Sequence, residues 1–206
     1  MRRPYGNIRP GLTLIELLVS LAITALVAAA TAAMLAAVTT GISTRRDNRT
    51  VMVRASAAQS RLASYIAPSR SILSSNGTDL VLWLDDTRHS GTVHASEIRW
   101  PIFNGTAIDA FYVLFPPGWS AVAQNLDDLE YSSGSDWEAV RQYYQAREWL
   151  LSIRLVDGLQ SVAITTDNAD PTLSQQVSYT LGFATETATA TVRVSALIQM
   201  PQPPLP

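Results

Sequence analysis

The chain has 206 residues, 47% of them hydrophobic, with 15 basic residues that are all Arg, 17 acidic residues, no lysine and a net charge of −2. The absence of cysteine excludes a disulfide framework and any thiolate metal site, so a folded domain here is held by its core, by a metal or by its neighbours. Charge is segregated: Arg45 to Arg61 is net +4, whereas from Ala63 onward seven Arg face fifteen Asp or Glu, net −8, and such an acidic region lacks the basic footprint that nucleic acid requires.

The first element is apolar and long. Leu17 to Thr44 contains no charged residue over 28 positions, which as a helix is about 42 Å, more than the roughly 30 Å of hydrocarbon in a bilayer. A cleavable secretory signal has an apolar region of only about 7–15 residues and ends at a small-residue site. An ordinary single-pass anchor fits the length but leaves Glu16 without a reason, because an unpaired carboxylate in hydrocarbon is costly and marks function by default. Charge does not choose the orientation: Arg2, Arg3 and Arg9 precede the span, and Arg45, Arg46, Arg49, Arg54 and Arg61 follow it.

The order Gly11-Leu12-Thr13-Leu14-Ile15-Glu16 resembles the processing and methylation motif of type IV prepilins and type II secretion pseudopilins, with Leu12 where the family usually has Phe. The resemblance implies that a prepilin peptidase cuts after Gly11 and removes a leader of residues 1–11. It further implies that the new amino terminus at Leu12 is N-methylated and that Glu16 pairs with the terminal amine of a neighbouring subunit during assembly. Physical chemistry supports the last role, since a carboxylate at low dielectric needs a cation in the same layer. Gly11, without a side chain, leaves the scissile peptide accessible. The motif also orients the chain, with the leader cytoplasmic.

Beyond the span the helix is predicted to continue to Ile66, because Val51, Ala55, Ala58, Leu62 and Tyr65 form one apolar stripe before Pro68 and Ser69 stop it. A sheet would cover that stripe. Strands are predicted at Leu80–Leu84, Ile98–Phe103 and Ala110–Phe115, the last closed by Pro116-Pro117-Gly118. A second helix is predicted from Asp136 to about Leu150, with Ser135 and Glu138 at capping-box spacing and Trp137, Val140, Tyr144 and Leu151 on one side. Leu151–Val156 and Leu159–Thr165 flank Asp157-Gly158, a strong hairpin signal. Gln176–Leu181 and Thr187–Gln199 read as closing strands, with Val192, Val194 and Ala196 alternating against Arg193 and Ser195, and Pro201, Pro203, Pro204 and Pro206 mark a tail that cannot pair. This order, with Leu155 to Val162 placed mid-domain, is most similar to minor pseudopilins of the J type.

Asp86 to Glu97 can be laid on an EF-hand loop, with Asp86, Ser90, Thr92 and Glu97 as candidate calcium ligands and Gly91 at the sharp turn. Arg88, however, stands where a ligand oxygen belongs, and the loop joins strands instead of helices, so a strand-connecting loop is the simpler reading. His89 and His94 lack a third ligand nearby and read as exposed loop residues. Asp127, Asp128 and Glu130 read as a solvated loop, with a contact surface or weak cation site as alternatives. Trp83, Trp100, Trp137 and Trp149 read as core, and Trp119, after Pro-Pro-Gly, as the indole suited to exposed recognition.

The expected fold class is α+β: a pilin-like fold whose long N-terminal helix, membrane-spanning in its first half, packs on an antiparallel β-sheet head. The expected organisation is leader 1–11, transmembrane half-helix 12–44, amphipathic half-helix 45–67, head 68–200 and Pro-rich tail 201–206. The resemblance implies a minor pseudopilin that assembles with other pilin-like subunits at a filament tip in a type II secretion or type IV pilus-like machine. Implied with it are a single pass through the bacterial inner membrane, a periplasmic head, a prepilin peptidase as processing partner, no nucleic acid and no cofactor beyond the calcium alternative. The rival is a pilin-anchored binding module for a secreted substrate or surface ligand. A tethered enzyme is disfavoured, since no nucleophile–base pair or metal cluster is visible in the sequence.

Overall fold

The structure is a computed structural model, and it describes residues 13–184, 189–199 and 201–204. The chain divides into two units, Met1–Arg46 and Asp47–Pro206. Helix α1 spans Leu14–Ile66. Its first unit is rich in Ala and Leu, and its hydroxyl side chains donate to carbonyls three or four residues back: Ser20 to Leu17, Thr24 to Ser20, Thr31 to Val27 and Thr39 to Leu35. That pairing satisfies every such hydroxyl within the helix itself, as hydrocarbon requires. The helix ends where Pro68 has no N–H to continue it, and Ser69 N donates back to the Ile66 carbonyl at 2.9 Å.

Within the second unit, Val51, Ala55, Ala58, Leu62 and Ile66 are the buried stripe of α1. Four of these are the stripe expected from periodicity. The fifth place goes to Ile66, while Tyr65 is only partly buried.

The stripe lies on two antiparallel sheets. One has five strands in the order β1 (Ser71–Ser75), β2 (Leu80–Trp83), β4 (Ile98–Phe103), β5 (Ile108–Val113) and β7 (Leu150–Val156). The other orders β10 (Thr189–Leu197), β9 (Gln176–Ala184) and β8 (Leu159–Thr166). Strand β3 (Val93–His94) pairs with β6 (Glu130–Tyr131) in a short ribbon. The first core joins the α1 stripe to Leu80, Leu82, Ile108, Ala110, Tyr179 and Leu181. The second core lies on the opposite face of the five-stranded sheet, where Val81, Trp83, Trp100 and Val113 meet Trp137, Val140 and Tyr144 of α3 (Trp137–Ala146). Because alternate residues of β2 face different cores, Leu80-Val81-Leu82-Trp83 is apolar throughout. The α+β class, a long N-terminal helix on antiparallel sheet, is therefore what the chain forms.

Three local expectations need correction. Leu150–Val156 and Leu159–Thr166 do not pair as a hairpin, since β7 pairs with β5 and β8 with β9. A two-residue type I′ turn needs positive φ at both central residues, and only Gly158, at φ +67, has it. Asp157-Gly158 is instead the corner that carries the chain from one sheet to the other. Second, α3 is capped by Asp136, not Ser135: its Oδ1 accepts from the N–H groups of Glu138 and Ala139, both at 3.1 Å, and the Glu138 carboxylate turns to Arg141. Third, α3 stops at Ala146. Glu148 takes φ +60, and Leu151 sits half-exposed in β7 instead of extending the helix face.

Sequence patterning missed β1, in which Ser71, Ser74 and Ser75 hide the pattern, and also α2 (Ala121–Asp127), which has no buried residue. Sheet edges are closed by side chains. Gln59 of α1 donates to the Ser195 carbonyl at 2.6 Å and accepts from its N–H at 3.1 Å, which blunts the β10 edge. The tail makes one main-chain bond that its prolines cannot, from Gln202 N to the Arg70 carbonyl at 2.8 Å.

Candidate functional site

The start of α1 is built by a reciprocal cap. Glu16 N donates to Thr13 Oγ1 at 3.3 Å, while Thr13 N and Oγ1 both donate to Glu16 Oε2 at 3.1 Å. Thr13-Leu14-Ile15-Glu16 is thus a capping box, a signal that the sequence carries as T-x-x-E before an apolar run. The box holds the carboxylate at the positive end of the helix, where negative charge is favourable. Among the described residues, Glu16 Oε1 has no hydrogen-bond partner. Gly11 and Leu12, the expected cleavage and methylation positions, lie outside the described residues.

Downstream of this cap the helix is long and apolar enough to cross a membrane, by length and composition. Leu14, Ile15, Leu17, Leu18, Val19 and Leu21 are all more than half exposed. No aqueous domain leaves so continuous an apolar surface bare, whereas lipid or other apolar helices would cover it. The one carboxylate at the head of this apolar helix is held by the Thr13 donors and by the positive end of the helix.

The loop from Asp86 to Glu97 is closed by its own hydrogen bonds. Asp86 accepts from the N–H groups of Ser90 and Gly91, both at 3.0 Å. Burial alone would raise its pKa, but these two bonds, with Arg70 and His89 nearby, outweigh it and hold the carboxyl below the usual range. Glu97 turns inward instead. Its Oε1 accepts from Thr87 N at 2.7 Å and Oγ1 at 2.9 Å, and its Oε2 from Trp83 Nε1 at 3.0 Å. Ser90 and Thr92 bond to each other through their hydroxyls at 2.9 Å. Protein donors thus occupy the Asp86 and Glu97 carboxylates, and among the described residues no three His, Asp or Glu side chains gather.

The acidic stretch after α2 and the histidines carry the largest surprise. Asp128, read as solvated, is 4% exposed. Its carboxylate accepts from Arg88 Nη2 at 2.6 Å, from Ser96 N at 2.8 Å and from Ser96 Oγ at 2.8 Å. His94, read as exposed, is buried with Nδ1 3.2 Å from the Asp128 carbonyl. His89 is exposed as expected and adopts φ +52. The Arg88 that spoiled the calcium reading is therefore the cation that allows Asp128 to be buried. Tyr144 completes the junction by donating to the Asp127 carbonyl at 2.9 Å, and burial, followed by its bond with Tyr131, pushes its phenol well above the ordinary range.

Trp83, Trp100 and Trp137 are core, as expected. Trp119 is partly buried, stacked on Phe115 at 6.3 Å and edge-on to Trp149 at 5.1 Å. It braces the segment before α2 and is not a free recognition residue.

No curated protein and no solved structure matches the chain. A family model, that of the prokaryotic N-terminal methylation motif, matches residues 8–32. The matched segment contains the capping box and the first half of the apolar run, and it supports a pilin-like protein anchored in a membrane by its N-terminal helix.

Proposed function

We propose that the chain is a minor pseudopilin, a structural subunit that assembles with other pilin-like subunits at the tip of a type II secretion or type IV pilus-like filament. The methylation motif supports the broader part of this reading: a pilin-like subunit, structural and not catalytic, that meets a prepilin peptidase and other pilin subunits. In this account the peptidase removes residues 1–11, the amine of Leu12 is methylated, and the head lies on the periplasmic side of the inner membrane. Minor status and tip position come from the J-type resemblance of the head.

The observation that carries the assembly role is the Thr13–Glu16 box. It fixes the carboxylate by one oxygen at the helix start. The other oxygen then serves the terminal amine of a neighbour in the same apolar layer, where leaving either charge without a partner is costly. Glu16→Ala tests this. The variant is expected to insert and be processed but to fall at least about tenfold in sheared filament fractions, because an unpaired amine remains in hydrocarbon. Equal incorporation of the variant would overturn the role. The head's recognition of a secreted substrate is the second reading, and the bracing of Trp119 weighs against it.

A further inference from the structure

The first turn of α3 and the β1–β2 hairpin border a cleft of ≈ 260 Å³ in the head, near the lower bound of small-molecule sites. Val81, Trp100, Ile102 and Trp137 give it an apolar side. Asp79, Asp136 and Glu138 also line it without gathering at one point, and no basic residue is among those that line it. Each carboxylate is fixed by its own element. In the hairpin turn, Asn76 Oδ1 accepts from the N–H groups of Thr78 and Asp79, at 3.1 and 2.8 Å, while Asn76 Nδ2 donates to Asp79 Oδ2 at 3.0 Å. Asp136 Oδ1 caps α3, and both Glu138 oxygens are taken by Arg141. Among the described residues, Asp79 Oδ1 and Asp136 Oδ2 accept no hydrogen bond.

Trp100 is the residue that points to a ligand. It is 2% exposed, yet its Nε1–H has no hydrogen-bond partner among the described residues. Trp83, in the same core, shows the ordinary arrangement, with its Nε1–H donated to Glu97 at 3.0 Å. A buried donor left unmet is costly, and the cleft is the space that Trp100 borders. A matching occupant brings an acceptor to the indole and donors to Asp79 Oδ1 and Asp136 Oδ2. Ammonium and guanidinium groups only donate, and a carboxylate or phosphate only accepts and is repelled by the acidic lining. Hydroxyl groups do both. We propose that the cleft holds one ring of an uncharged saccharide. Its hydroxyls are shared between the Trp100 N–H and the two carboxylates, and its C–H faces lie against Val81, Ile102 and Trp137. The site lies wholly within the head and does not depend on the assembly reading above.

With only five tryptophans in the chain, the indole N–H resonances of the ¹⁵N-labelled full-length protein make the test direct. The protein is held in a detergent that carries no sugar and titrated separately with glucose, galactose, mannose, N-acetylglucosamine, glucuronate, trilysine and triserine. The Trp100 resonance is identified by its loss in Trp100→Phe. The expected result is a saturable shift of that resonance with at least one of the four uncharged sugars, at a Kd of about 1 mM or tighter, with the Trp119 resonance unmoved. Asp79→Ala keeps the turn, which Asn76 Oδ1 holds through backbone N–H groups, and should weaken the sugar about tenfold. Asp109→Ala alters the matching Asn104 turn, where Asn104 Nδ2 donates to Asp109, outside the cleft, and should leave the affinity unchanged. If no uncharged sugar moves the Trp100 resonance, the cleft belongs to water and the proposal is overturned. It is equally overturned if glucuronate, trilysine or triserine binds as tightly as the best uncharged sugar, or if Asp79→Ala binds like the parent.

Discussion

Replacing Asp128 by Ala removes a carboxylate that is 4% exposed and accepts three hydrogen bonds, from Arg88 Nη2, Ser96 N and Ser96 Oγ. Hydrogen bonds to a charged group contribute about 1.5–3 kcal/mol, and a donor left buried adds its own desolvation cost. Arg88, with 27% side-chain exposure, can swing to water and recover part of its loss, whereas the Ser96 amide has no such freedom. The net cost is therefore about 3 kcal/mol, which for a chain of this size lowers Tm by roughly 6–12 °C. Asp128→Asn keeps an acceptor but not the charge, and should cost about half as much. The assay is thermal unfolding of the full-length protein in detergent, followed by near-ultraviolet circular dichroism, which reads the nearby tryptophans. Asp127→Ala is the control, because Asp127 contributes its carbonyl, not its carboxylate, to Tyr144. If Asp128→Ala melts within about 1 °C of the parent, or Asp127→Ala falls as far, then the buried junction is not what holds the ribbon of β3 and β6 to α3.

Other expectations follow from single residues. Gly158→Ala forces an L side chain into φ +67 with its Cβ 3.3 Å from Arg54 Nη1; it should cost about 1–2 kcal/mol, and a change under about 0.3 kcal/mol would remove the strain argument. The folded pKa of Asp86 is depressed, so its contribution is full above its unfolded value near 3.9 and is lost as pH falls through the folded value. Asp86→Asn should flatten the acid limb of the stability curve below about pH 4, and an unchanged limb would show that other carboxylates carry it. Trp137→Ala, at 6% exposure, should cost about 3–5 kcal/mol, whereas Leu126→Ala, at 74% exposure in α2, should stay within about 0.5 kcal/mol in the unassembled protein. A large loss at Leu126 would mean that α2 packs inward.

What could be read from the sequence was whatever a single element decides. The stripe of α1, its stop at Pro68 and the alternation in β10 are each set by local spacing against one apolar layer. Pairing across the chain was not legible in the same way. Asp157-Gly158 looks like a hairpin because the dipeptide reports a turn, yet the partners of its flanking strands are chosen by β5 and β9 far away in sequence. Asp128 and His94 looked solvated because Arg88, Ser96 and the Asp128 carbonyl reach them only once the fold has formed. The candidate site divides likewise. Glu16 stood out as a lone charge, and its Thr13 partner was readable from spacing three residues away. The loop of Asp86 and Glu97 could be judged only when its donors were seen.

The central claim is that this is a processed pilin-like subunit, and mass spectrometry of the amino terminus of protein taken from native membranes tests it most directly. The account requires a chain that begins at Leu12 with a methylated amine. A chain that still begins at Met1 would contradict it, removing the peptidase from the account and leaving Glu16 as the cap of an ordinary membrane anchor.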